Sequence, residues 1–173
     1  MIGTKITKPV DDWQPYQEAA VWCNENKAVI EDKGEWYEVV ALPEPTIHEL
    51  KTRKLADLNS AFETASQTAH CVSSAGFEIN ADETANRNVS SLIIAMEATG
   101  QQTARFCAYD NTFHTVTLEQ LKTMQLEIIA HAQGIYERKW VLREAIEAAQ
   151  TQEELDDVVI TFDPIQASSG EPS

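Results

Sequence analysis

The stretch that begins at Thr117 constrains this chain more than any other. "TLEQ" is a capping box, with Thr117 as N-cap and Gln120 three residues on. Behind it Leu121, Ile128, Ile135 and Leu142 recur every seven residues beside Met124, Ala132, Tyr136 and Ile146. Apolar side chains at that spacing share one face of an α-helix, which predicts a helix over Leu118–Ala149, the longest element of the chain. "TIHE" repeats the capping signature with Thr46 and Glu49, and Ile47, Leu50, Leu55, Leu58 and Phe62 carry an apolar stripe to Ala65. The two helices, Thr46–Ala65 and Leu118–Ala149, are expected to pack on each other.

Between them, "ADETANRNVSSLIIAMEATG" offers Asp82 as a helix start, Val89, Leu92, Ile93 and Met96 as a stripe, and Gly100 as a stop. "HCVSSAGFEIN" reads as extended pieces broken near Gly76. "ARFCAYD" and "TFHTV" are β-prone runs around Asp110-Asn111, two residues that tolerate left-handed turns, so a tight hairpin is predicted. A small antiparallel sheet is expected from "VSSAGFEI" and the 105–116 hairpin. Beyond the long helix, Thr151 caps a short helix, "VVITF" reads as a last strand, and "DPIQASSGEPS" as a mobile polar tail.

Ahead of "ALPEPT", Trp13, Tyr16, Ala20 and Cys23 recur at spacings of three and four, giving an amphipathic helix from Trp13 to Asn26. "KAVIE" and "EWYEVVAL" then flank the turn Asp32-Lys33-Gly34. The expected fold class is α+β: a small αββ module over residues 1–43, a main domain over 44–163, and a tail over 164–173. Pro43 and Pro45 restrict the backbone between module and domain and favour a semi-rigid spacer.

Charge narrows the function. With 28 acidic against 13 basic residues the net charge is −15 and the pI about 4.5. Phosphate contacts supply most nucleic-acid affinity, and the densest basic stretch, "KTRK" at Lys51–Lys54, reads as a solvated helix face, so no nucleic-acid partner is expected. There is no apolar run long enough for a membrane span and no secretory h-region, which points to a cytoplasmic protein without a membrane partner. The three cysteines, Cys23, Cys71 and Cys107, form no CxxC and read as reduced, mostly buried small hydrophobes.

Chemical constellations are few. Cys107, Asp110 and His114 lie within eight residues, and across a two-residue turn Cys107 would sit opposite His114. A nucleophilic thiol also needs a lowered pKa from a helix N-terminus, a metal or a cation, and the hairpin supplies only the histidine, so a structural hairpin is the preferred reading. His70 and Cys71 could complete a zinc set with Cys107 and His114, but adjacent strand residues point to opposite faces. GxGxxG, Walker and HExxH motifs are absent. "DDW", "EDKGE" and "EELDD" lack the spacing of a calcium loop and read as solvated surface. No catalytic residue, metal ligand or cofactor is therefore assigned. Trp22, Trp36, Tyr37 and Trp140 read more readily as core than as a ligand cage. The aromatic residues Trp13, Tyr16, Trp22, Trp36 and Tyr37 of the N-terminal module are nonetheless the candidate partner-binding residues, since large aromatics dominate interface energies.

The order of "ELKTRKLADLNSAF", "SSAGFEINADETANR", "DNTFHTVTLEQL" and "AIEAAQTQEEL" resembles a family of uncharacterised proteins of tailed bacteriophages and prophages, over about Tyr16 to Phe162. Its members resemble tail-fibre-associated or tail-fibre assembly proteins and carry no enzymatic motif. The resemblance implies a non-enzymatic, chaperone-like partner of a phage tail-fibre protein, acting in the bacterial host cytoplasm. A structural component of the fibre tip that stays in the virion tail is the alternative. The chain has no glycine-rich or collagen-like repeat of the kind a fibre shaft would show, and a homo-oligomer is left open.

Overall fold

The computed structural model describes residues 1–162. The tail expected over 164–173 lies outside the described residues. The fold is α+β, with five helices and seven short strands among the described residues. The chain divides into two compact units, Met1–Thr46 and a second that begins at Ile47.

The first unit contains β1 (Lys5–Thr7), α1 (Gln14–Glu25), β2 (Ala28–Asp32) and β3 (Trp36–Ala41). The sheet order is β1-β3-β2, all antiparallel, so the expected αββ module has an additional strand at its start. β1 is three residues long, "KIT", too short to show an alternating pattern, and it is recruited by pairing Ile6 with Tyr37 on the open edge of β3. Gly34 makes the β2–β3 turn at φ +86°, and Asp32 Oδ1 accepts its N–H at 2.8 Å. Ile6, Ala19, Cys23, Ala28 and Val39 form the core of this unit. On α1 it is Ala19, rather than the expected Ala20, that is fully buried.

The second unit is organised around α4 (Leu118–Ala148). Its capping box forms as expected: Gln120 N–H donates to Thr117 Oγ1 at 3.2 Å, and Thr117 N–H to Gln120 Oε1 at 2.9 Å. Leu121, Met124, Ile128, Ile135, Leu142 and Ile146 are buried along one face. That face serves two clusters in succession. Its N-terminal part meets Ile79, Val89, Ile93, Met96 and Val116, whereas Leu142 and Ile146 meet Leu58, Ala149 and Leu155. α2 (Ile47–Gln67) spans both, with Leu50, Leu55 and Leu58 in one cluster and Phe62 and Ala65 against the other. Each fully buried Leu, Ile or Met contributes roughly 1.5–3 kcal/mol of transfer free energy. The long helix is thus a spine on which α2, α3 (Glu83–Thr99) and α5 (Gln152–Asp156) pack.

Helix ends follow the sequence closely. Asp82 Oδ1 accepts Ala85 N–H at 2.8 Å, Gly100 closes α3 in the left-handed region at φ +70°, and Thr151 caps α5. The small β elements depart from expectation. β4 (His70–Val72) pairs β5 (Glu78–Asn80), and β6 (Thr103–Cys107) pairs β7 (Phe113–Thr117), as two separate sheets. Among the described residues a single backbone bond, Tyr109 N–H to Glu78 O at 2.9 Å, links the hairpins, where one sheet is expected from the sequence. "VVITF" is not a strand: it has no ladder partner among the described residues, and Val158, Ile160 and Phe162 pack as side chains against the helices. The turn between β4 and β5 is tied to α4 by Glu127, which accepts Ser73 Oγ–H at 2.6 Å and Ser74 N–H at 2.9 Å. Burial opposes ionisation of Glu127, but the serine hydrogen bonds outweigh it and hold the carboxyl below its usual range.

Candidate functional site

The hairpin that held the thiol constellation has a different register from the one expected. Cys107 pairs with Phe113, and Phe106 with His114. Ala108 N–H donates to Thr112 O and Asn111 N–H to Ala108 O, with Asn111 at φ +65°, so these bonds close on three residues, Tyr109 to Asn111, instead of two. A slip of one residue moves a side chain to the opposite face of a strand. Ala104 and Val116 are buried on the inner face, with Phe106 and His114 half-buried beside them, while Cys107 and Phe113 are exposed on the outer one. The thiol and the imidazole therefore face apart. His114 Nε2 instead meets Thr112 Oγ1 at 2.9 Å, and Thr112 donates to Asp110 Oδ1 at 2.7 Å. Those bonds from Thr112 hold the Asp110 carboxyl below its usual range. Asp110, Thr112 and His114 form a hydrogen-bonded turn brace from which the Cys107 thiol is absent.

The cysteines differ from the expectation of mostly buried thiols. Cys23 is buried, Cys71 half-buried and Cys107 exposed. Burial, with Glu127 and Glu78 adding, pushes the Cys71 thiol up, which disfavours the thiolate. His70 does not join the cysteines; it pairs with Glu78 at 2.7 Å and stacks on Tyr109 at 4.3 Å. Among the described residues no group of three or more His, Cys, Asp or Glu side chains is arranged to hold a metal ion. His70 and His131 line an open pocket of about 460 Å³ beside Phe162, and burial, with His70 adding, pushes the His131 imidazole below its usual range.

The five N-terminal aromatics separate into two sets. Tyr16, Trp22 and Tyr37 pack against the core of their own unit, Tyr16 edge-on to Tyr37 at 5.0 Å. Trp13 is 51% exposed and rests edge-on against Tyr16. Trp36 is half-buried under Lys5 Nζ, 4.7 Å from the ring centroid, with its indole N–H on Glu38. Three of the five are engaged in holding the unit together.

A larger apolar surface lies on α4. Leu126, Ile129, Tyr136 and Trp140 are 67%, 48%, 47% and 55% exposed. With Gln133 they follow spacings of three and four, one row of the helix that runs about 21 Å at 1.5 Å per residue. Tyr136 was expected in the buried stripe, and Trp140 was read as core. Both lie on this second row, where Tyr136 meets Phe62 edge-on at 5.0 Å and Trp140 at 6.1 Å. The row was visible only as apolar residues that the heptad stripe did not use, interrupted by Gln133, and the heptad stripe is the row that the structure buries. Gln125 Nε2 bonds Ser90 Oγ at 2.6 Å and Lys122 pairs with Glu97 at 2.9 Å, which sets exposed Ile94 on the same side of the α3/α4 pair.

At the N-terminal end of α3 this row passes into an open groove of about 620 Å³. Ile128, Ile129 and Tyr136 are among its apolar lining residues, with the α3 N-cap Asp82 and with Glu83 and Asn86 of the first turn. Asn86 is half-buried, and its Oδ1 is sealed from solvent without a hydrogen-bond partner among the described residues. Among the described residues no helix is long and apolar enough to cross a membrane.

The second unit is thus an α+β domain on a single long helix, with one face buried and an apolar row left open. Residues 49–160 match the family model described as a domain of unknown function (DUF4376), and the chain belongs to that family. The match falls within the second unit. No curated protein and no solved structure matches the chain.

Proposed function

We propose that this protein is a tail-fibre assembly partner of a tailed bacteriophage or prophage, a chaperone-like protein that binds a fibre protein during folding or trimerisation and performs no catalysis. The observation that carries the binding role is the exposed row Leu126, Ile129, Tyr136 and Trp140 on α4. Aromatic and aliphatic anchors of this kind supply most of an interface's energy, and contiguous exposed apolar surface on a soluble domain marks an interaction site. The fibre assignment rests on the sequence resemblance over Tyr16 to Phe162. A chain of net charge −15 repels nucleic acid, which suits a protein partner.

Co-expression with a tail-fibre protein of the same phage or prophage tests the reading. The wild-type chain should co-purify with the fibre protein and raise its soluble, trimeric yield. Leu126→Glu with Trp140→Glu, both at solvent-facing positions, should abolish that effect while leaving the melting transition in place. Failure of the wild-type chain to bind or mature the fibre protein defeats the proposal. A chaperone is absent from purified particles, whereas a tip component is present in fixed stoichiometry, so the composition of the particles separates the two forms of the reading.

A further inference from the structure

We infer that the open row of α4 is one half of a heptad seam, and that the segment docking on it is an amphipathic α-helix of the partner protein with lysine or arginine beside its apolar face. This rests on the protein-docking reading above and names the conformation and charge of the occupant. Leu126, Ile129, Gln133, Tyr136 and Trp140 are separated by three, four, three and four residues, the a and d spacing of a coiled coil. The buried stripe of the same helix recurs in the same way and is covered by helices, α2 and α3. An extended segment repeats on one face every ~6.7 Å, whereas successive side chains of the row stand roughly 5 Å apart along the axis, the step of another helix. The row also has ends. Lys122, four residues before Leu126, pairs with Glu97 at 2.9 Å, and Arg143, three after Trp140, pairs with Glu147 at 2.8 Å. About two heptads of partner helix match the apolar length between them.

Charge beside the row selects the sign of the partner. Glu137 and Glu144 are exposed, follow Gln133 and Trp140 by four residues, and enter none of the ion pairs among the described residues. That spacing sets each carboxylate next to the row. The neighbouring cations are engaged: Lys139 Nζ lies 3.9 Å over the Phe62 ring, and Arg138 Nε donates to Thr161 O at 3.1 Å. The uncompensated charge along the row is acidic, and lysine or arginine at the flanking positions of a docked helix complements it. A second copy of this chain would bring the same acidic flank and a net charge of −15, which opposes self-pairing. Gln133 stands in the middle of the row, its amide donating to Glu137 at 3.3 Å. A lone polar residue at a core position of a seam fixes register at the expense of stability, so Gln133 aligns the partner helix more than it strengthens binding. Phe62 holds Tyr136 edge-on, which leaves that anchor ordered before the partner arrives.

The test adds three synthetic three-heptad peptides to the intact chain. The first carries leucine at a and d with lysine at e and g, and the second is the same with glutamate in place of lysine. The third keeps the composition of the lysine peptide but is scrambled so that no helical face is apolar. Like charges at e and g keep the first two from pairing with themselves. Affinity is measured by titration, helix content by circular dichroism, and the site by methyl shifts of Leu126 and Ile129. The lysine peptide should bind at least about tenfold more tightly than the other two, gain helix as it binds, and shift both residues. Leu126→Ala with Trp140→Ala should weaken it at least about tenfold. Glu137→Gln with Glu144→Gln, both at exposed positions, should bring the preference for lysine over glutamate to within about threefold, although the net charge stays strongly negative. Equal binding of the scrambled peptide, a preference that survives the double glutamine variant, binding without helix gain, or shifts confined to other residues would overturn the inference. The two proposals fail separately. A fibre protein that docks on the row through a non-helical or acidic segment overturns this inference and leaves the docking role intact. Selective binding of the lysine peptide without any fibre binding overturns the fibre assignment and leaves the seam.

Discussion

The imidazole of His114 lies flat on the ring of Phe77, centroids 4.0 Å apart and planes 9° from parallel. Phe77 precedes β5 and His114 sits in β7, so the stack joins two hairpins that share no strand ladder. A second stack, His70 on Tyr109, does the same from the other side. His114→Ala removes the stack and the Thr112 contact and should lower stability by about 1–2 kcal/mol, read from chemical denaturation. Cys107→Ser, on the exposed face, should change stability by no more than about 0.5 kcal/mol. A large loss for Cys107→Ser would mean that the thiol is packed.

The three thiols should separate by reactivity. In the native protein an aromatic disulfide reagent should label Cys107 first, Cys71 slowly because burial raises its pKa, and Cys23 only on unfolding. Mass mapping of the first labelled site checks the order, and labelling of Cys23 first would contradict the packing described for the N-terminal unit.

Glu127 makes acid stability predictable in sign. Its folded pKa lies below the ordinary value of 4.5, so its contribution is fully present above 4.5 and is lost as pH falls through the lowered folded value. At neutral pH Glu127→Gln should cost about 1–3 kcal/mol by weakening the bonds from Ser73 and Ser74. Thermal melts at decreasing pH should bring the two proteins together once the wild-type carboxyl protonates. A difference that stays constant into acid would show that charge is not the origin.

Helix ends offer a sharper local test. Thr117→Ala breaks the capping box of α4 and should cost about 1 kcal/mol. Gly100→Ala forces a side chain into φ +70° and should cost at least about as much. Both should shift the denaturation midpoint with little change in slope, because neither touches the core.

The fragment 47–173 should melt cooperatively by itself. Both of its core clusters draw only on residues from Ile47 onward, among them Leu58, Ile79, Val116, Met124 and Ile146. The fragment 1–46 relies on Ile6, Ala19, Cys23, Ala28 and Val39, a core so small that it should be marginal alone. Calorimetry of the two fragments decides the matter. Aggregation of 47–173 would show that its core is incomplete without the first unit.

What the sequence by itself determined were the features whose causes are local. Thr117, Asp82, Thr151 and Gly100 placed helix ends within a residue or two, because a cap is satisfied by backbone groups only a few positions away. The seven-residue recurrence from Leu121 to Leu142 identified a buried face, since periodicity is a property of one helix. Only the tertiary structure decided what depends on distant partners. β1 exists because β3 offers an edge, and the hairpin register follows the inward demand of Ala104, Phe106 and Val116 rather than the Asp110-Asn111 turn signal. In the candidate site the sequence offered Trp13, Tyr16, Trp22, Trp36 and Tyr37 alike, and only the packing of α1 against the sheet turned Tyr16, Trp22 and Tyr37 inward and left Trp13 exposed. The row from Leu126 to Trp140 includes Gln133 and lies outside the heptad stripe. That it stayed open depended on where α2 and α3 came to rest, and helix packing is set by side chains far apart in the sequence.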